Sequence, residues 1–226
     1  MIVDCHDPAA FTRPVPVELP QDPADTRAPR AAHQGPSLRT LTHVGRRRAR
    51  DPMTQPHVVV LGLMGAGKST IAERLAARLH RPWRDSDSDI EAATGRTGRE
   101  VAADPAEGVD ALHRLEEAVL LDALATDEPL VISAAGWVVE AARCRVQMRS
   151  RAFVVWLQAP ADVLRARMAT GQHRRASAPN ELETLIERRT PLFQSVSDLV
   201  LDATDPPDAL VAEVLSRLSR VADVGR

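Results

Sequence analysis

The residues of this chain best suited to chemistry lie in a glycine-rich segment, 62–69, that ends in lysine and serine. Its sequence, GLMGAGKS, fits the pattern G-x-x-x-x-G-K-[S/T]. In that pattern the glycines let successive backbone N–H groups point at phosphate oxygens, and the helix that follows directs its positive end at the same anion. Lys68 can bridge the β- and γ-phosphates of a nucleotide, and the Ser69 hydroxyl can bind Mg²⁺. We therefore predict a phosphate loop whose nucleotide-binding residues are Gly65, Ala66, Gly67, Lys68, Ser69 and Thr70.

Lys68 is the only lysine among the 29 basic residues of the chain, and it stands at the position that the pattern requires. The guanine-binding signature Asn-Lys-x-Asp needs a further lysine, which this chain does not have. The sequence therefore favours ATP over GTP. The loop alone does not distinguish an ATPase from a kinase.

A pair of carboxylates, Asp85 and Asp87, follows the second predicted strand. Ligands of parallel α/β sheets bind at the carboxyl ends of the strands. One carboxylate there can hold Mg²⁺ through water, and the other can accept a proton from the hydroxyl of an acceptor. A structural role is also open, because Asp87 precedes a predicted helix and Glu91 follows it, as in a helix cap.

Strands and helices alternate from residue 57 onward, which indicates a parallel α/β sheet with helices on both faces. Short runs of β-branched residues predict the strands, and apolar residues at helical spacing predict the helices. The longest helix should bury Val109, Leu112, Leu115 and Val119. The predicted strands are 57–63, 82–85, 130–134, 152–158 and 199–202; the predicted helices are 68–80, 88–94, 108–125, 139–149, 181–189 and two that start at Pro160 and Pro206. Residues 170–180 are predicted to be an exposed loop.

Residues 1–56 have a different composition. They hold nine of the 17 prolines and a basic run, 46–50, and they show no sustained apolar periodicity. Such a stretch cannot bury enough surface to offset its ordering entropy, so we predict a disordered tail before a domain at 57–226. An alternative is that the true start of the protein lies near Met53.

Composition excludes several classes of function. The formal net charge is −2 and aromatic residues make up only 3% of the chain, so we expect no nucleic-acid partner. Uninterrupted apolar runs are shorter than the ~20 residues of a bilayer span, so we expect no membrane partner. Cys5 and Cys144 are too few and too far apart for a disulfide framework, and we expect two free thiols in a cytoplasmic protein that is a monomer.

The motifs together resemble the shikimate kinase family in order and spacing. They are GLMGAGKST, DSDSDIE with Thr94-Gly95-Arg96, LHRLEE, the GQHRR segment and RRTPLF, and they cover residue 58 to about 218. The resemblance implies a P-loop kinase fold of three α/β/α layers, with a five-stranded parallel sheet of order 2-3-1-4-5 and a mobile lid. It also implies ATP and Mg²⁺ as cofactors and a small, anionic acceptor, with shikimate as the leading candidate.

The resemblance further implies a role for individual residues. Asp85 would lie near Mg²⁺, and Asp87 would bind the acceptor hydroxyl as the base. Arg174 would be the lid arginine on the transferring phosphate, Arg189 would hold the acceptor's carboxylate, and Arg167 would lie against the adenine. The three arginine assignments suit the chemistry of a guanidinium group, which pairs with carboxylates and phosphates and stacks on rings.

Three departures from the family fall on the acceptor side. His113 stands where the family has a carboxylate-binding arginine, and Arg114 is displaced by about 100° around the helix. The family's three-glycine turn reads Ala135-Gly136-Trp137, so only Gly136 retains its match. The family's pocket phenylalanines are replaced here by an alanine and Leu112. Other acceptors therefore stay open, such as a gluconate-like sugar acid, a nucleotide or an antibiotic, as does an ATP-binding module without turnover.

Overall fold

The computed structural model describes residues 55–106, 108–170 and 180–224. Its strands are β1 (His57–Leu61), β2 (Trp83–Asp85), β3 (Val131–Ser133), β4 (Ala152–Gln158) and β5 (Leu199–Asp202). They form one parallel sheet of order β2-β3-β1-β4-β5. This confirms the predicted fold class and the strand order that the resemblance implied.

Helices connect the strands and cover the sheet. Those of the described part are α1 (Lys68–Leu79), α2 (Ser86–Thr94), α3 (Gly98–Ala102), α4 (Gly108–Ala125), α5 (Ala142–Arg151), α6 (Ala161–Thr170), α7 (Glu181–Val196) and α8 (Pro207–Val224), with a 3₁₀ turn at Gly136–Val139. Most strands and helices start and end within two residues of the predicted bounds.

The core lies around the central strands. All five residues of β1 and the first six of β4 are buried, because helices cover both faces of these strands. This burial accounts for their continuous apolar sequence, which made them the most readily predicted elements of the chain.

The register of the sheet brings three connections to one edge. Val60 of β1 pairs with Ser133 of β3, and Ser133 pairs with Asp85 of β2. The three strands therefore end close together. The phosphate loop, the start of α2 and the turn at Gly136–Val139 follow from these ends.

The predicted buried face of α4 is wrong in its first half. Val109 is 39% exposed, and the fully buried positions of the helix are Ala111, Leu120, Ala123 and Leu124. Helix α4 packs against α2 and α3, and a Cβ at Gly98 of α3 would lie 3.2 Å from Leu112, so the apolar residues near the start of α4 are only partly covered.

Helix α7 continues through Pro191 to Val196, well beyond the predicted end at 189. An interior proline costs about 3 kcal/mol, because it removes a backbone hydrogen bond and crowds the preceding turn. Phe193 and Val196 are nearly fully buried, and burying two such side chains contributes roughly 3–6 kcal/mol, which offsets that cost.

Two further elements differ from the prediction. The helix expected at 139–149 is a 3₁₀ turn followed by α5, and the short helix α3 was not predicted. Thr97 and Glu100 form a capping box at the start of α3, a pattern that is visible in the sequence. No helix in the described ranges is long and apolar enough to cross a membrane.

Candidate active site

The phosphate loop owes its shape to glycines with positive φ. Gly65 has φ of +80°, and a Cβ there would lie 2.9 Å from the carbonyl oxygen of Leu164. Gly67 has φ of +89° and caps α1 without a side chain. The first N–H groups of α1 therefore have no side-chain cap and are suited to bind an anion.

Lys68 is the first residue of α1, and its Nζ donates a hydrogen bond of 3.4 Å to the carbonyl of Leu63. Burial lowers the pKa of Lys68, whereas the carboxyl groups of Asp87, Asp85 and Glu116 act in the opposite direction. The predicted phosphate-binding amine therefore faces the predicted carboxylate pair.

Ser69 and Asp85 come together as predicted. The Ser69 hydroxyl donates a hydrogen bond of 2.7 Å to Oδ2 of Asp85 and lies 3.4 Å from the hydroxyl of Ser133. Oxygen atoms of this kind suit Mg²⁺, which binds through one or two protein groups together with phosphates and waters. The described residues contain no cluster of three His, Cys, Asp or Glu that would hold a metal by itself.

Asp85, and not Asp87, caps helix α2. Oδ1 of Asp85 accepts a hydrogen bond of 3.0 Å from the backbone N–H of Asp87, so the helix starts at Ser86 rather than at Ser88. The capping role therefore belongs to Asp85, whose other oxygen, Oδ2, accepts the hydrogen bond from Ser69. This leaves Asp87 exposed in the first turn of α2.

Ser86 fixes the start of α2 against the end of β3. It is buried, its hydroxyl donates to the carbonyl of Ser133 at 3.1 Å, and the same oxygen accepts from the N–H of Ala135 at 3.2 Å. These bonds hold the two aspartates and the turn at Gly136 in a fixed relationship.

Gly136 lies between the phosphate loop and Arg189. A Cβ at this position would lie 2.9 Å from the carbonyl oxygen of Gly62 and 3.7 Å from Nη1 of Arg189. Two residues that the resemblance assigned to the acceptor, Gly136 and Arg189, therefore lie side by side against the nucleotide loop.

Arg189 is buried, with 8% of its surface exposed, and it pairs with Glu140. Its Nε donates to Oε1 of Glu140 at 2.6 Å, and Nη2 of Arg188 donates to the same oxygen at 2.8 Å. Burial by itself raises the pKa of Glu140, but the bonds from Arg189 and Arg188 outweigh it and hold that pKa below its usual value.

His113 stacks on Trp137. The ring centroids are 4.2 Å apart and the planes differ by 6°. Burial lowers the pKa of His113, and the positive charge of Arg189 acts in the same direction. His113 and Trp137, the two largest departures from the family, therefore contact each other on the acceptor side of the site.

Glu116 is a site residue that the sequence analysis did not identify. Its Oε2 is buried and finds no hydrogen-bond partner among the residues that the structure describes. Burial, together with the charge of Asp87, raises the pKa of Glu116 to about 7, against the opposing effect of Arg189 and Lys68. Its position three residues after His113, on the same side of α4, was the available signal.

Glu140 was missed as well, and it follows Gly136 by four residues.

Arg167 lies beside the phosphate loop, where Nη1 contacts the carbonyl of Gly65 at 3.4 Å and Nη2 donates to the carbonyl of Ala203 at 2.9 Å. Its role toward adenine stays a prediction. Arg174 and the predicted lid lie outside the described residues.

The fold and the site together define a class of protein. A five-stranded parallel sheet with a lysine-bearing phosphate loop, a hydroxyl–carboxylate pair beside it and a separate acceptor side is the arrangement of a P-loop kinase that acts on small molecules.

Comparison with known proteins gives the family. The sequence model of the shikimate kinase family matches residues 64–219. A shikimate kinase from Shewanella sp. (strain W3-18-1) is 33% identical over 168 residues, which cover 72% of this chain and 96% of that protein. The structure of an Acinetobacter baumannii shikimate kinase in complex with shikimate is similar, with a TM-score of 0.68 and 27% identity over 74% of this chain and 94% of that one. This chain belongs to the shikimate kinase family, and it is an ATP-dependent phosphotransferase of that kind.

Proposed function

We propose that this kinase transfers the γ-phosphoryl group of ATP to a hydroxyl group of shikimate. The observation that carries the proposal is the position of Gly136, where an added Cβ would lie 2.9 Å from the carbonyl oxygen of Gly62 and 3.7 Å from Nη1 of Arg189. A buried guanidinium pairs well with a carboxylate. An acceptor anchored on Arg189 by its carboxylate would therefore hold its hydroxyl groups close to the bound phosphates. The shikimate in the Acinetobacter baumannii relative is consistent with this acceptor.

The residues of the site divide the work between binding, neutralising charge and accepting a proton. The N–H groups at the start of α1 and Lys68 would bind the phosphates, and Asp87 would orient the attacking hydroxyl and accept its proton. Mg²⁺, when bound, would neutralise phosphate charge, and Ser69 and Asp85 would hold it. Arg174 would be the arginine that stabilises the transferring phosphate.

A second candidate is the same reaction on an acceptor that differs from shikimate near its carboxylate. The stack of His113 on Trp137 favours it, because a neutral imidazole offers one N–H donor where a guanidinium offers a charged fork. Both candidates share the nucleotide half of the site and differ only in the acceptor.

The test is ADP release from MgATP, measured with shikimate, with gluconate and without any acceptor. Shikimate-dependent release supports the first candidate, and release with another hydroxylated acid supports the second. Lys68→Ala should lower turnover at least ~10³-fold, because it removes the main charge on the phosphates. Activity of that variant within a few-fold of the unmodified enzyme would contradict the assigned site.

We also propose that the enzyme is a cytoplasmic monomer with residues 57–226 as its catalytic domain. The buried free thiol of Cys144 is consistent with a reducing compartment, and burial raises its pKa to about 12, which makes it unreactive. Light scattering should give the mass of one chain, with or without ATP.

A further inference from the structure

Glu140 pairs with Arg189, whose guanidinium the proposed function assigns to the carboxylate of the acceptor. One of its carboxylate oxygens accepts hydrogen bonds from both Arg189 and Arg188, and only 10% of the Arg189 side chain is exposed. In the described part of the chain, Glu140 is the only hydrogen-bond partner of the Arg189 side chain. The protein therefore already supplies a carboxylate at this position.

An arginine presents two edges to a carboxylate. One edge consists of Nε and a terminal nitrogen, and the other consists of the two terminal nitrogens. Glu140 uses Nε and so takes the first edge. A carboxylate of an acceptor would have only the second edge, on the side where Nη1 faces Gly136, and would meet the negative charge of Glu140 nearby.

Arg188 offsets part of the charge of Glu140, because its Nη2 donates to the same oxygen at 2.8 Å, but other carboxyl groups add negative charge nearby. Glu116 adds a carboxyl group whose Oε2 is buried and that interacts with Arg189 through space, and Asp87 adds an exposed carboxylate. His113, which stands where the family has a carboxylate-binding arginine, is stacked on Trp137 and held toward its neutral form by burial and by Arg189.

We propose that Glu140 is a specificity-determining residue, which competes with the acceptor's carboxylate for Arg189. It thereby weakens the binding of carboxylate-bearing acceptors relative to polyhydroxylated acceptors that have no carboxylate. The inference rests on the proposed function, because it takes Arg189 as the residue that faces the acceptor.

A positioning role for Glu140 makes the opposite prediction. If the bond from Nε only held Arg189 in the right orientation, its loss would weaken the binding of the acceptor. Competition and positioning therefore change the KM for shikimate in opposite directions, and one variant separates them.

The variant is Glu140→Gln, which keeps the size of the side chain and a carbonyl oxygen for Arg189 but removes the negative charge. We expect the KM for shikimate to fall about tenfold, in line with the loss of a charge-assisted competitor. The KM for ATP should not change. Glu187→Gln is the matched control, because Glu187 is exposed on α7 two residues from Arg189. An unchanged or raised KM for shikimate in Glu140→Gln would overturn the proposal.

An acceptor analogue gives a second readout. The alcohol obtained by reducing the carboxyl group of shikimate has the same ring and hydroxyl groups and no negative charge. Glu140→Gln should leave the KM for this analogue within about twofold of the unmodified enzyme's value. An equal improvement for both acceptors would show that Glu140 does not act on the carboxylate, and would overturn the proposal.

Equilibrium binding separates this inference from the proposed function. Calorimetry with shikimate, in the presence of a non-hydrolysable ATP analogue, needs no turnover. If neither protein phosphorylates shikimate but Glu140→Gln binds it about tenfold more tightly, the proposed function fails and the competition stands. Equal binding, weaker binding or no detectable binding to either protein overturns the competition.

Discussion

His113 and Trp137 lie face to face, with ring centroids 4.2 Å apart and planes that differ by 6°. One residue comes from α4 and the other from the turn after β3, so the stack joins two elements on the acceptor side of the site. The indole of Trp137 covers one face of the imidazole of His113, so these two departures from the family fit together. Burial lowers the pKa of His113, and the positive charge of Arg189 acts in the same direction, so both favour the neutral imidazole.

We predict that His113→Arg lowers the KM for shikimate. A guanidinium can also stack on Trp137, and it adds a permanent charge and a fork of donors for the acceptor's carboxylate. The expected decrease is about tenfold, the usual effect of one charge-assisted hydrogen bond. Steady-state kinetics with shikimate as the varied substrate measures it.

The pH dependence provides the control for this variant. The pKa of His113 lies below its ordinary value of 6.5, so the imidazole gains its charge only as the pH falls below that value. The KM for shikimate should therefore improve below pH 6.5 in the unmodified enzyme and change less in His113→Arg. If His113→Arg abolished activity with the true acceptor, His113 would belong to a different pocket.

The nucleotide half of the site could be predicted from the sequence because its determinants are local. Gly67, Lys68 and Ser69 are consecutive, and their chemistry depends on one strand, one loop and one helix. The meeting of Ser69 with Asp85 needed only the rule that parallel strands bring their carboxyl ends to one edge.

The acceptor half could not be predicted in the same way, because its contacts join distant segments. Glu140 and Arg189 are 49 residues apart, and no local pattern links a turn after β3 to the middle of α7. The burial of Glu116 likewise depends on how α4 packs against the other helices and the turn at Gly136–Val139. The packing of α4 against α2 and α3 also accounts for the wrong prediction of its buried face.

We predict that Glu116 makes the nucleotide-free protein less stable as the pH rises. The folded-state pKa is raised to about 7 from 4.5, so the folded protein retains a proton that the unfolded chain releases. Stability is therefore present in full below pH 4.5 and is lost as the pH rises through about 7. The loss should be about 3 kcal/mol, because the rise of the pKa from 4.5 to about 7 is worth ~1.4 kcal/mol for each pH unit.

Glu116→Gln tests this pH dependence, since the amide does not titrate. Urea unfolding at pH 4.5 and pH 8 should show that the variant gains stability relative to the unmodified protein at the higher pH. Glu91→Gln, at an exposed position of α2, is the control and should follow the unmodified protein at both values. If Glu116→Gln also followed the unmodified protein at both pH values, that result would contradict the raised pKa of Glu116.

Residues 1–52 should be dispensable for folding and for ATP binding. The composition of that stretch offers no apolar face to pack, and the sequence model of the family matches residues 64–219 without it. Starting the chain at Met53 should leave the free energy of unfolding within about 0.5 kcal/mol and the ATP affinity unchanged. Urea unfolding and calorimetry are the measurements. An insoluble product, or a loss of ATP affinity, would mean that residues 1–52 support the domain.

The last prediction separates the two functions of Asp85. Oδ1 caps α2 at the N–H of Asp87, and Oδ2 accepts from Ser69 at the proposed Mg²⁺ position. Asp85→Asn retains an oxygen for the cap but lacks the charge, so its stability should stay within about 0.5 kcal/mol while half-maximal turnover requires at least ~10-fold more Mg²⁺. Asp85→Ala should show the same Mg²⁺ effect and lose a further ~1 kcal/mol of stability, because the cap is gone. Thermal unfolding measures the stability of both variants, and Mg²⁺ titration of the ADP-release rate measures their Mg²⁺ requirement. An unchanged Mg²⁺ requirement in Asp85→Asn would remove Asp85 from the metal site and leave it only the cap.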